Sequence, residues 1–387
     1  MKLFLLVTGD LVKTGGMDRA NYALVDYLVR QGTEVHVVSH RVEPNLQCYE
    51  NLIWHRVPKV AKSYFLSEFL LDRVGRFWAH RITQRGGRVL VNGGNCDWGD
   101  VNWVHYVHAA YRPESKVNVL QKAKIAATHA YFRHSEKRRL QRAQLVIADS
   151  ERTKADVIKN GLVTPEKVRS IYYGIDPTTF YPATAGEARS LRQQLGLPLD
   201  CPIVVFVGAL GDRRKGFDVL FEAWQQLCQN SAWNAQLLVI GGGAELPSWK
   251  QRLVEAGLVD RIKFLGFRTD VPDLMRASDC LVAPTRYEAY GLGVHEALCC
   301  GIPAIVTATA GVAERYPNEL RPLLLSDAND MAQLIDVLYH WQSHQRVYQQ
   351  LVQKQVSYLL RSGTWDAMAQ QIIDVINDSA HCALVSV

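Results

Sequence analysis

Glu288 and Glu296 stand with seven residues between them in the segment Glu288-Ala-Tyr-Gly-Leu-Gly-Val-His-Glu296. A short apolar run at 280–283 and Pro284 come just before it, and the spacing predicts a helix opening near Gly291. Backbone N–H groups at a helix start lack partners within the helix and lie at the positive end of its dipole, so they can hold a phosphate. Glycines at 291 and 293 let that backbone approach closely. A carboxylate in the loop reaches hydroxyls on one side of such a phosphate, and a carboxylate one turn into the helix reaches the other side. The competing reading is two unrelated surface glutamates flanking a buried helix.

A second segment, Gly208-Ala-Leu-Gly-Asp-Arg213-Arg214-Lys215-Gly216, also lies between an apolar run and a helical pattern. Glycine-rich turns after strands cradle phosphates, and three adjacent cations can neutralise a diphosphate, although a basic loop is often merely solvated. A third candidate is Gly15-Gly16, which opens the first helical pattern. It lacks the spacing of a dinucleotide fingerprint, and no glycine precedes Lys13 as in a Walker loop.

The elements that must position these loops alternate along nearly the whole chain. Strand-like runs fall at 2–7, 34–39, 52–57, 88–91, 101–107, 145–148 and 168–171, with helices at 18–31, 63–84, 115–142 and 151–160 between them. Ser150 is placed to cap the last of these helices. Prolines 177, 182, 198 and 202 then mark a linker with one short helix near 187–195. A second series follows, with strands at 203–207, 236–240, 262–265, 280–283, 304–307 and 323–325, and helices at 216–229, 247–256, 270–277, 291–300 and 327–342. The end reads as helix only, at 344–360 and 365–378. The expectation is α/β architecture in two similar-sized domains, at 1–182 and 183–363, with a crevice between them.

At 387 residues, with 48% hydrophobic and 21% charged, the chain can bury a core in each domain. The net charge of +6 suits a phosphate-bearing partner without choosing one. Eight cysteines without a Cys-x-x-Cys pair exclude a zinc ribbon and suggest a reducing compartment. The apolar start at 3–7 is too short for a signal-peptide core, and no run is long enough to span a bilayer, so the expected location is cytoplasmic.

Together these segments resemble the family-4 retaining glycosyltransferases of GT-B fold over nearly the whole chain. The glutamate pair with Gly-Leu inside it is similar to that family's hallmark, and "KGFDVLFEAW" at 215–224 to its lysine-glycine helix start. "FLGF" at 264–267 and "VPDLMRASDCLVAPT" at 271–285 resemble its base-binding turn and the approach to the glutamates. "VIADSERTKADVI" at 146–158 and "IYYGIDPTTFYP" at 171–182 resemble the closing motifs of its first domain. The resemblance implies two Rossmann-like domains facing across a deep cleft, with 364–387 packing back on the first, a nucleotide-diphosphate sugar as donor and no cofactor. It implies that Lys215 holds the diphosphate and stabilises its departure. Glu288 would bind the transferred sugar, Glu296 the ribose, and the backbone at Tyr290, Gly291 and Leu292 the phosphate. Phe267 and Arg268 would lie beside the base, Gly15 and Gly16 would cap the donor, and His108 would stand near the reacting carbon. Two positions depart from the pattern. Ala209 replaces a frequent arginine, leaving Arg213 or Arg214 to supply the charge, and Tyr173 replaces a common asparagine.

His105 and His108 on one strand would face opposite ways, which makes a poor metal pair; His105 reads as a core residue. No Asp-x-Asp pair occurs, so cations and helix starts, rather than a divalent ion, are expected to hold the diphosphate. The stretch 112–142 carries nine lysines and arginines against Glu114 and Glu136. It reads as a solvated face, a peripheral contact with anionic membrane, or a site for an acceptor phosphate; nucleic acid is not expected. The acceptor itself, whether glycan, lipid-linked or small molecule, has no readable code. Alternative functions are a GT-B sugar phosphorylase, a nucleotide-sugar epimerase, or a non-catalytic nucleotide-sugar-binding protein.

Overall fold

The computed structural model describes residues 2–60, 64–112, 119–211 and 213–385, with the side chains of 64, 65, 119–122 and 380–385 outside that description. Two compact units are present. The first unit holds a seven-stranded parallel sheet of β1 (Leu3–Val7), β2 (Glu34–Ser39), β3 (Leu52–Arg56), β4 (Arg88–Asn92), β5 (Val101–Val104), β6 (Leu145–Ala148) and β7 (Val168–Ser170). Its order is β3-β2-β1-β4-β5-β6-β7. Strands of a parallel sheet covered on both faces are apolar throughout, as Leu3-Phe-Leu-Leu-Val7 is. Leu3, Leu5 and Val7 pack with Leu71, Ala79 and Ile82 on one face. The helices of this unit are α1 (Gly16–Arg30), α2 (Tyr64–Gln84), α3 (Val119–Arg142) and α4 (Glu151–Lys159). Ser150 caps α4 as the sequence predicts, its side chain accepting from the Thr153 N–H.

The second unit repeats the winding. Its sheet contains β8 (Ile203–Val207), β9 (Gln236–Ile240), β10 (Ile262–Gly266), β11 (Cys280–Ala283), β12 (Ala304–Thr307) and β13 (Leu324–Leu325), in the order β10-β9-β8-β11-β12-β13. Between β8 and β11 the chain changes its direction of travel across the sheet, and the crevice outside the carboxyl ends of strands at such a point is where ligands bind. Two helices start there: α5 (Phe217–Leu227) after β8, and α6 (Leu292–Cys299) after β11.

Among the differences from the sequence reading, three bear on the units and the site. The units divide at Gly174/Ile175 rather than at 182, because Ile175 and Phe180 pack in the second core. The strand expected over 101–107 ends at Val104, so His105 and His108 lie in the turn beyond it. The closing helix runs Trp365–Val385, longer than expected, and belongs to the first unit. There Met368, Ile372 and Ile376 are buried, and Arg30 on α1 pairs with Asp366 at 2.6 Å.

Candidate active site

In the second unit, β8 and β11 are neighbouring parallel strands, so the loops leaving their carboxyl ends meet. The Arg286 N–H donates to Arg214 O at 2.8 Å, and the Arg286 guanidinium donates to Arg213 O at 2.5 Å. The same guanidinium grips Asp218, in the first turn of α5, at 2.8 and 2.9 Å. Bidentate pairs of this kind fix geometry as well as adding energy. Gly216 packs directly under the second loop: with φ +70° it is in the left-handed region, and a Cβ would fall 1.8 Å from Pro284 O. No side chain fits there.

This scaffold brings together three of the expected residues. Lys215 Nζ donates to Glu288 Oε2, and Arg214 Nη1 lies 3.9 Å from the same oxygen. Burial would raise the Glu288 pKa. The charges of Lys215 and Arg214 and the lysine hydrogen bond outweigh it and hold the carboxyl below its usual range. The two arginines face different partners. Arg214 turns to Glu288 and to Tyr287 O at 3.3 Å, whereas Arg213 turns to Asp218 and Glu245, each at 3.6 Å. Asp212 lies outside the described residues.

Gly291, with φ +108°, caps α6, and a Cβ there would crowd Val312 at 2.8 Å. The same Cβ would lie 3.3 Å from Glu288 Cγ, so α6 begins beside Glu288. Glu296 is buried one turn along α6. The Tyr290 side chain is core: its hydroxyl meets His295 Nδ1 at 2.8 Å, so only its backbone can serve a ligand. Phe267 is 74% exposed after the left-handed turn at Gly266, which leaves its ring face open to stacking. Arg268 beside it pairs with Asp270 at 2.5 and 2.8 Å.

In the first unit, Gly15 (φ +83°) is the N-cap of α1 with no side-chain cap, and Gly16 begins the helix. Asp18 sits in its first turn, where a carboxylate competes with any phosphate for that helix end. His108 is held by Glu136, which sequence reasoning counted only as a charge within a basic run. The carboxylate is 2% exposed. It accepts from the N–H groups of His108 (2.9 Å) and Ala109 (3.2 Å) and lies 3.1 Å from His108 Nδ1. His105 is separate. Its Nδ1 meets the Tyr173 hydroxyl at 2.5 Å and its Nε2 meets Asn92 at 3.0 Å, and burial lowers its pKa to about 3. Tyr173, the departure from the family pattern, thus satisfies a histidine that is half-buried rather than the core residue the sequence suggests.

The basic stretch is less free than its sequence implies. Arg139 is buried against Glu68 at 2.9 Å, and Arg138 and Arg142 both pair with Asp97. Lys124, Arg133 and Lys137 are exposed, and 113–118 lie outside the described residues. Among the described residues no cluster of His, Cys, Asp and Glu could hold a metal ion, and no helix is long and apolar enough to cross a membrane.

Two Rossmann-like units of this winding, with cations and a carboxylate gathered at a helix start on the second unit's switch point, define the GT-B class. The model for glycosyltransferase family 4 matches residues 14–179, and that for glycosyl transferases group 1 matches 201–340; the chain belongs to the family-4 glycosyltransferases. It is 24% identical over 388 residues to D-inositol 3-phosphate glycosyltransferase of Corynebacterium efficiens, covering 95% of this chain and 91% of that one. Several other curated relatives are matched over only about half of their own length. Among solved structures, sucrose-phosphate synthase of Thermosynechococcus elongatus superposes with a TM-score of 0.79 at 22% identity, covering 99% of this chain and 100% of that one. Anabaena HepE, in complex with UDP and glucose, gives 0.68 at 19% identity, covering 97% and 99%.

Proposed function

We propose that the protein transfers a sugar from a nucleotide-diphosphate donor to a hydroxyl acceptor, with retention of configuration and without a metal ion. The observation that carries this reading is the Lys215–Glu288–Arg214 cluster at the start of α6. In the resting protein the carboxylate occupies the two cations. A donor diphosphate takes its place on Lys215 and Arg214 and on the α6 amides, which frees Glu288 to accept from hydroxyls of the bound sugar. As the glycosidic bond breaks, negative charge grows on the departing diphosphate, and preorganised cations and amides stabilise it more strongly than the ground state. With no enzyme carboxylate assigned as nucleophile, the leaving phosphate takes the acceptor proton and the attack comes on the same face. Phe267 stacks on the base, Glu296 receives the ribose hydroxyls, and Gly15, Gly16 and His108 serve from the first unit.

The HepE structure, bound to UDP and glucose, supports a nucleotide-sugar donor in this fold. A phosphorylase or an epimerase would release no nucleoside diphosphate, and a binding protein would turn nothing over. Screening purified protein against nucleotide sugars by thermal shift identifies the donor, because a ligand bound only by the folded state raises its stability. Coupled detection of nucleoside diphosphate then tests the transfer.

A further inference from the structure

His108 lies in the turn that follows β5, and three side chains of α3 close on that turn. They are His129, Phe132 and Glu136. Positions i, i+3 and i+7 stand above one another on a helix, so the three share a single face. A helix face with this spacing is ordinarily apolar and packs on the core. Here two of its three members are polar, and both are spent on the turn.

Glu136 takes the N–H side of the turn, accepting from His108 and Ala109. His129 takes the carbonyl side. Its Nε2 lies 2.9 Å from His108 O and 2.8 Å from Tyr111 O. A carbonyl oxygen only accepts, so His129 Nε2 carries a proton and donates to both oxygens at once. One N–H thus ties together the two ends of a stretch of four residues. Phe132 adds an apolar contact, its ring tilted 35° to that of His108 with centroids 5.2 Å apart, and Tyr106 meets the same ring edge-on at 4.8 Å.

The two polar groups fix different things. Glu136 bonds adjacent residues and the ring Nδ1, which sets the ring's rotation but leaves the turn able to pivot about 108–109. His129 reaches from 108 to 111 and removes that pivot. The His108 side chain is 32% exposed and sits outside any regular element, so packing alone does not hold it. The geometry points to His129 as a positioning residue for the transfer: it acts not on a substrate but through the turn that carries His108. This rests on the reading above in which His108 serves the reaction. A misplacement of about 1 Å at a reacting group can cost about 10²-fold in rate, so a clamp on the turn is felt in turnover as well as in the fold.

The test uses the full chain and two variants. His129→Leu keeps most of the volume and removes the donor, whereas His129→Gln places an amide N–H where Nε2 stands. Hydrogen exchange read by mass spectrometry, with no substrate present, follows the peptide covering 105–112. Exchange there should rise about tenfold or more in His129→Leu and stay near that of the unaltered protein in His129→Gln. Thermal unfolding and unchanged exchange in β1 and β4 confirm that each variant folds. With donor and acceptor added, kcat should fall about tenfold in His129→Leu while donor KM stays within about twofold. His129→Gln should recover most of the turnover, and on a His108→Ala background His129→Leu should cost nothing more. Unchanged exchange in His129→Leu, faster exchange with undiminished kcat, a loss carried by KM alone, or a glutamine variant as slow as the leucine one overturns the inference. The exchange measurement needs no donor, so the clamp is judged independently; an unaltered protein that releases no nucleoside diphosphate counts against the transferase reading instead.

Discussion

Glu136 Oε1 accepts the backbone N–H of His108 at 2.9 Å and lies 3.1 Å from Nδ1 of the same residue. One buried carboxylate therefore sets both the chain path and the ring orientation of the histidine proposed to face the reacting carbon. With Nδ1–H directed at the carboxylate, a neutral ring leaves Nε2 as an acceptor.

Glu136→Gln keeps the size of the side chain but cannot serve three donors with one oxygen. We expect a stability loss of about 1–3 kcal/mol, because an N–H is left unanswered in a buried place. Turnover should fall about tenfold, since each 1.4 kcal/mol in a barrier is a factor of ten. On a His108→Ala background the same substitution should cost no further activity. An additional loss there would show that Glu136 acts on catalysis by another route.

Lys215→Ala removes a charge whose contact with diphosphate strengthens as that group departs. The expected fall in kcat is about 10²-fold or more, alongside weaker donor binding. Glu296→Ala should act mainly on donor affinity, because its ribose contact changes little during reaction. Identical kinetic profiles for the two variants would contradict this division of roles.

Acid should weaken the fold before Glu288 is protonated. His105 and His295 are each lowered to about 3, first by burial, and His55 to about 4 for the same leading reason. A histidine kept neutral in the fold gains a proton only on unfolding. Its effect is absent above its unfolded value of about 6.5, and below that it costs about 1.4 kcal/mol per pH unit. Glu288 has the opposite sort of shift: its depressed pKa contributes stability above its ordinary value of 4.5, lost only as pH falls below that. Urea unfolding at pH 7, 6 and 5 should thus show falling stability, with a shallower fall in His295→Gln.

The closing helix holds the first unit together. Ile372 and Ile376 are fully buried, Tyr27 donates to Gln370 at 2.5 Å, and Arg88 donates to Ile376 O at 2.8 Å. Ile372→Ala should cost about 2–5 kcal/mol. Truncation after Arg361 should destabilise the first unit although the sheet's own sequence is intact. Proteolysis followed by fragment sequencing would show cleavage concentrating within 2–174.

What the sequence makes legible follows the physics of each feature. Strands buried on both faces show as apolar runs, so 203–207, 236–240, 280–283 and 304–307 are read to the residue. Glycines with positive φ under a second loop, such as Gly216 and Gly291, mark the site because their positions demand glycine. Contacts between distant segments leave no local trace. The Arg286–Asp218 clamp joins two loops across the switch point, and its arginine looks like any surface cation in the sequence. Glu136 is likewise hidden: an acid isolated among cations reads as charge balance until α3 is seen to bury it. Arg139 misleads in the same way, since it is buried against Glu68 while its immediate neighbour Arg138 is exposed.

The central claim is that Lys215 and its neighbours act on a departing diphosphate, and the most direct measurement follows that product. Purified protein, the nucleotide sugar that stabilises it and an acceptor are incubated with excess chelator, and nucleoside diphosphate and the glycosylated product are quantified together. The account predicts equal amounts of the two, unaffected by chelator, retention of anomeric configuration in the product, and a loss of about 10²-fold or more in Lys215→Ala. Release that vanishes with chelator and returns only with Mg²⁺ or Mn²⁺, or release that survives intact in Lys215→Ala, would contradict it.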